Sequence, residues 1–213
     1  MPPSILTCTN PDNPMGSWHP AERVQEMIDN LPDCAVLCLD EAYIEFAPEG
    51  TAPPIDVSRP NVIRFRTFSK AHGMAGARIA YGIAEESLAL AFNKVRNHFG
   101  VNRIAVEGAL ASLADPAYIA EVRMKVSGAC ERIASIARDN GLEALPTATN
   151  FVAVDCGRDG AFAKAVLDNL VAGGIFVRMP FVEPQNRCIR ISAGREADLD
   201  ALAEALPSAL RNA

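Results

Sequence analysis

The polar chemistry of this 213-residue chain gathers where its apolar runs end. Asn10-Pro11-Asp12-Asn13-Pro14 follows the run Ser4–Thr9, and Asp40-Glu41-Ala42-Tyr43 follows Cys34–Leu39. Thr67-Phe68-Ser69-Lys70 follows a third run, Val62–Thr67, and Arg78 opens a fourth, RIAYGI. The groups on offer are amides, carboxylates, a phenol, hydroxyls, an amine and a guanidinium. In an open parallel sheet, ligands bind in the crevice beyond the carboxyl ends of the strands, so these groups are expected to converge on one crevice. Each alone has a plainer reading: NPDNP as a turn, Asp40 as a cap, Lys70 as a solvated amine, Arg78 as an ion-pair partner. Their occurrence in order, at the ends of consecutive strands, is not explained that way.

The elements that would position them alternate. His19-Pro20 opens a helix with Val24, Met27, Ile28 and Leu31 at i, i+3, i+4 and i+7. CAVLCL is a continuous apolar run, the pattern of a strand covered on both faces. The first half therefore reads as α/β with a mostly parallel sheet. From Glu85 the pattern turns helical, with Leu88, Ala91, Phe92 and Val95 on one face, then Arg103–Leu113, then a long helix from Pro116 to Asn140. A strand (Asn150–Val154), a helix (Asp159–Ala172), strands at Ile175–Met179 and Cys188–Ser192, and a closing helix with Leu199, Leu202, Leu206 and Leu210 follow. The spacing predicts a sheet domain over 1–113 and a small α+β domain over 114–213, entered through the long helix.

Composition narrows the class. Hydrophobic residues make up 49% and charged ones 22%, which excludes disorder, collagen and coiled coil. The net charge is −6 and the basic residues are scattered, so nucleic acid is not an expected partner. No window approaches the ~18 uninterrupted apolar residues of a membrane span, and the first residues show no secretory pattern. With no CxxC pair and three histidines, a metal site is not expected. Six cysteines, several inside apolar runs, predict buried, reduced thiols and a cytoplasmic protein.

The motifs resemble those of fold-type I pyridoxal-phosphate (PLP) aminotransferases of class I/II, most closely the histidinol-phosphate branch. NPDNPMG resembles the family's Asn-Pro-x-Asn-Pro-x-Gly segment, DEAYIEF is close to a signature of that branch, and TFSKAHGMAGARIAYG resembles the Schiff-base lysine segment. CIRIS followed by Gly194 resembles the strand whose arginine takes the substrate carboxylate. The likeness implies Lys70 as Schiff-base lysine and proton shuttle, and Asp40 as the anion beside the pyridine nitrogen. It implies Asn13 and Tyr43 at the ring hydroxylate, and Thr67, Ser69 and Arg78 at the cofactor phosphate, where a planar guanidinium can meet two oxygens. It further implies Arg190 at the substrate α-carboxylate, Arg178 at a substrate phosphate and Asn150 near the mouth of the site.

By that resemblance the substrates are an amino-acid or amino-alcohol phosphate and 2-oxoglutarate, in histidine biosynthesis, and the enzyme is a homodimer. The glycine-rich phosphate turn, the ring-stacking aromatic and the tyrosine reaching the neighbouring subunit, which the family carries before NPxNP, are not found. The chain therefore reads as a C-terminal portion, expected to bind PLP weakly and turn over little. Two readings stay beside it: a PLP-dependent decarboxylase of the phosphothreonine type, and a non-catalytic remnant domain. A dinucleotide site is disfavoured, because no G-x-G-x-x-G follows the first strand.

Overall fold

The structure, a computed structural model, describes residues 4–213. These divide into two compact units, one running to Pro11 and resuming over Trp18–Arg123, the other made of Asp12–Ser17 and Met124–Ala213. The division falls inside the long helix Pro116–Asp139.

In the first unit β1 (Ser4–Thr9), β2 (Ala35–Asp40), β3 (Val62–Thr67) and β4 (Ala80–Ala84) form one sheet in that order. The first three run parallel and β4 pairs antiparallel with β3, so the α/β sheet is mixed and mostly parallel. Parallel neighbours need a crossover, here supplied between β1 and β2 by α1 (Ala21–Asp29). Val24 and Ile28 of α1, one turn apart, cluster with Leu37, Leu39 and Val62. The apolar run of β2 predicts burial on both faces, but only Ala35, Leu37 and Leu39 are buried while Val36 and Cys38 are half-buried. At the sheet edge β1 is more open still, with Ile5 73% exposed. Cys8, Cys34 and Cys38 are accordingly half-buried, as is Cys130, and of the six thiols only Cys156 and Cys188 are enclosed.

Downstream, the helix expected from Glu85 is short. Helix α2 covers Glu86–Ala91 and passes into a 3-10 turn, Phe92–Lys94, leaving Val95 and Phe99 exposed. Beyond that turn Asn97 Oδ1 accepts from the Phe99 N–H at 3.0 Å, a local bond that competes with helix. Asn102 then caps α3 (Arg103–Leu113), accepting from the Ala105 N–H at 2.8 Å.

The second unit receives the end of α4 (Pro116–Asp139), then β5 (Glu143–Ala144), β6 (Phe151–Asp155), α5 (Gly160–Ala172), β7 (Cys188–Ser192) and α6 (Glu196–Arg211). The antiparallel sheet β5-β6-β7 carries a core in which Val152, Val154, Ile189 and Ile191 meet Ile133, Val166, Leu170 and Leu202 from the helices. The strand expected at Ile175–Met179 is reduced to one bridge, Arg178 to Arg190. Gly173-Gly174 before it carry no side chains to pack, and Pro180 after it has no N–H for a ladder.

Asp12–Ser17 docks on this unit through Gly16, whose carbonyl accepts from the Ala148 N–H at 2.9 Å. Gly16 has φ +79°, and a Cβ there would stand 2.4 Å from Thr147 Oγ1. Gly50 shares that φ with open space around it. Gly50→Ala is expected to cost about 1 kcal/mol for the left-handed backbone, and Gly16→Ala a further ~1–3 kcal/mol for overpacking. Urea unfolding of the two variants checks this, and equal costs would contradict the docking.

Candidate active site

The first unit presents its candidate groups where β2 and β3 end. Asp40, the last residue of β2, is exposed, and its Oδ1 accepts from the Ala42 N–H at 2.9 Å. That bond turns the chain so that Glu41 and Tyr43 go inward, Glu41 to 1% exposure. A buried carboxylate has to be paired. Glu41 Oε1 accepts from Arg64 Nη2 at 2.5 Å and Oε2 from Arg66 Nε at 3.0 Å. Arg64 and Arg66 share one face of β3 because strand side chains alternate. Arg64 Nη1 also donates to the carbonyls of Pro53 and Pro54 at 2.9 and 3.1 Å. Beside this cluster, burial pushes the Glu45 carboxyl above its usual range.

At the end of β3, Thr67 Oγ1 accepts from the Ser69 N–H at 3.1 Å. Phe68 and Ala71 are buried, whereas Ser69 and Lys70 between them are half-exposed. The turn is closed by Gly73 N–H to the Lys70 carbonyl and Met74 N–H to the Phe68 carbonyl, both at 2.9 Å. Lys70 Nζ stands 4.9 Å from the centroid of the Tyr43 ring, a cation–π distance. Arg78 enters β4 in the left-handed region (φ 55°), its Nη1 donating to the Ala75 carbonyl at 2.8 Å and its side chain exposed. For a residue other than glycine this is an uncommon backbone, of the kind that marks functional sites.

The remaining candidates belong to the second unit. Arg178 and Arg190 are cross-strand partners exchanging N–H···O bonds of 3.1 and 2.6 Å, so their side chains leave one face of the sheet. Arg190 lies 4.8 Å over the Phe151 ring and Arg178 5.5 Å over Phe176. Asn13 Oδ1 accepts from Arg190 Nη1. The half-buried Asn150 precedes β6, with its carbonyl accepting from the Ala193 N–H at 2.9 Å. Asp40, Tyr43, Thr67, Ser69, Lys70 and Arg78 thus share the first unit, whereas Asn13, Asn150, Arg178 and Arg190 share the second.

Sequence reasoning passed over the ion cluster and the buried Asn10. The amide of Asn10 fixes the turn after β1, accepting from the His19 N–H at 2.8 Å and donating to the His19 and Thr51 carbonyls at 3.2 and 3.3 Å. For the cluster a signal existed: two arginines at alternate positions of the otherwise apolar VIRFRT, beside a strand ending in Asp-Glu.

The sequence profile described as aminotransferase class I and II matches residues 2–206. This chain belongs to that family. It is 36% identical to histidinol-phosphate aminotransferase 2 of Pseudomonas fluorescens over 213 residues, 98% of this chain and 56% of that protein. Against the crystal structure of histidinol-phosphate aminotransferase from Sinorhizobium meliloti in complex with pyridoxal-5′-phosphate, the TM-score is 0.95 at 54% identity, covering 97% of this chain and 57% of that one. L-threonine-O-3-phosphate decarboxylase from Porphyromonas gingivalis gives 0.79 at 25% identity, over 98% and 65%. The chain spans little more than half the length of the first two relatives.

The cofactor of these aminotransferases is PLP, and the donor set of the first unit fits it chemically. An amine suits the aldehyde, a carboxylate the ring nitrogen, a phenol the ring hydroxyl, and two hydroxyls with a guanidinium the phosphate. The Glu41 cluster should be felt as stability. Glu41→Ala leaves Arg64 buried and uncompensated, at an expected cost of about 3–5 kcal/mol. Replacing Arg64 and Arg66 by Met in the same protein should recover part of that loss. Urea denaturation measures both, and a Glu41→Ala cost below about 1 kcal/mol would contradict the pairing.

Proposed function

We propose that this chain contributes the cofactor lysine and the substrate arginines to amino transfer of the histidinol-phosphate type, between an amino-acid or amino-alcohol phosphate and 2-oxoglutarate. The observation carrying the reading is the Lys70 amine above the Tyr43 ring, three residues along from the exposed Asp40 at the end of β2. PLP, when bound, supplies the electron sink that makes the substrate Cα proton removable. Lys70 holds the cofactor and then moves that proton. Asp40 keeps the ring nitrogen protonated, Tyr43 serves the ring hydroxyl, and Thr67, Ser69 and Arg78 hold the phosphate.

The second unit supports the substrate class. Like charges directly opposite on neighbouring strands destabilise a sheet, yet Arg178 and Arg190 occupy such a pair of positions. Two anionic groups on one small substrate relieve that repulsion, as a 2-oxo dicarboxylate or a phosphate ester would. Arg190 takes the α-carboxylate, Arg178 the distal anion, and Asn150 borders them. The enzyme is cytoplasmic and works as a homodimer. Exposed Val95, Phe99 and Ile104 fit a subunit contact.

Binding to the PLP-loaded protein, followed through the cofactor's absorption, tests the substrate reading. Losing a charge-assisted contact of about 1.5–3 kcal/mol, Arg178→Ala should bind 2-oxoglutarate about ten- to a hundredfold more weakly and pyruvate almost as before. Arg190→Ala should weaken both. Equal losses for the two acids in Arg178→Ala would contradict the distal-anion role. Glutamate formed from 2-oxoglutarate and histidinol phosphate supports amino transfer, whereas carbon dioxide released from a phosphorylated amino acid would favour decarboxylation.

A further inference from the structure

We propose that His72 and Ser112 are positioning residues for Lys70, their hydrogen bond pinning the turn Phe68–Met74 to α3 so that the Lys70 amine stays over the Tyr43 ring. The inference rests on the reading of Lys70 as the cofactor lysine. His72 lies two residues beyond Lys70 and is buried, with Nδ1 2.7 Å from Ser112 Oγ on α3. Its ring packs on Phe68 at 4.8 Å, and Phe68 packs in turn on Tyr81 of β4 at 5.5 Å. The imidazole therefore ties together the strand pair that launches the loop and the helix behind it.

Two further contacts place the same turn against the same helical region. Met74 Cε approaches Gly108 of α3 so closely that a Cβ there would stand 2.9 Å away. Gly73, at φ +69°, faces the Tyr118 hydroxyl, 3.4 Å from where its Cβ would be. Burial lowers the proton affinity of His72 and favours the neutral ring, whose Nδ1 either donates to or accepts from the Ser112 hydroxyl. A buried ring nitrogen without a partner is costly, which makes the bond to Ser112 a condition of His72 staying inward.

This arrangement answers a mechanical need. Lys70 sits on a turn whose own closing bonds are Gly73 N–H to the Lys70 carbonyl and Met74 N–H to the Phe68 carbonyl. Those bonds set the shape of the turn. Its place on the sheet is held by the Phe68 N–H, which donates to the Ile79 carbonyl at 3.3 Å, and by the buried side chains of Phe68, Ala71 and His72. Of these three side chains, that of His72 makes the hydrogen bond, and it reaches an element far away in sequence.

The test compares three variants of the full chain. His72→Phe keeps a ring against Phe68 and loses the bond. Ser112→Ala removes the partner hydroxyl from a half-exposed position. His72→Asn places an amide nitrogen near Nδ1 and keeps a bond to Ser112. Amide hydrogen exchange at Gly73 and Met74 is expected to rise about five- to tenfold in the first two variants, the value of one hydrogen bond. It should stay within about twofold of the parent in His72→Asn, with Leu37 and Leu39 of β2 unchanged throughout. Borohydride trapping of PLP on Lys70, mapped by peptide mass, should slow by a similar factor in His72→Phe and Ser112→Ala. Exchange and trapping equal to the parent in both would overturn the proposal, as would faster exchange spread equally over β2. Label on another lysine in the parent would overturn the reading of Lys70, and the exchange pattern would still decide the pinning.

Discussion

A carboxylate without water must be given partners, and much of the first unit is arranged around satisfying that of Glu41. It sits one residue beyond β2, and its partners are two arginines on one face of β3. The ladder continues past the strand, since the Glu41 N–H donates to the Phe65 carbonyl at 2.8 Å. The carboxyl ends of β2 and β3 are thereby fixed to each other through main chain and side chains. Asp40 and Tyr43 leave from one end, Thr67, Ser69 and Lys70 from the other. Breaking such a cluster by removing one member costs far more than the intact cluster contributes, because a buried charge is then left alone. The cluster is better understood as fixing geometry than as adding stability, and electrostatic preorganisation of a site depends on geometry fixed beforehand.

The second unit handles charge in the opposite way. Arg178 and Arg190 are set side by side with aromatic rings beneath them, and Asn13 is the amide that Arg190 reaches. Such a pair is tolerable beside solvent and gains most when a small dianion spans it. The Glu41 carboxylate is neutralised within its own cluster, while Arg178 and Arg190 place two like charges on one face of their sheet.

The α/β architecture was legible because β2 and β3 are apolar runs of strand length bounded by turn residues, and α1 shows the helical period without interruption. Polar groups at strand ends could be singled out for the same reason, Lys70, Tyr43 and Asp40 among them. Other features had no local signature. The grouping of Asp12–Ser17 with the second unit depends on Gly16 meeting Thr147 and Ala148, a contact no periodicity encodes. β5 is too short for alternation to show, and Ile175–Met179 has strand composition without the backbone donors to complete a ladder. The helix from Glu85 is shorter than its apolar spacing suggests, because that spacing runs past Asn93 to Val95 while the helix ends at Ala91. His72 reads as one histidine among three until Ser112 is seen beside it.

At the centre of this account is a first unit built to present the Lys70 amine, beside Tyr43 and Asp40, to an aldehyde cofactor. Absorption titration of the protein with PLP, run in parallel on Lys70→Ala, tests it most directly. The account predicts a new visible band in the parent that saturates with PLP, vanishes on borohydride reduction and is absent from Lys70→Ala. A band of equal strength in Lys70→Ala would contradict it.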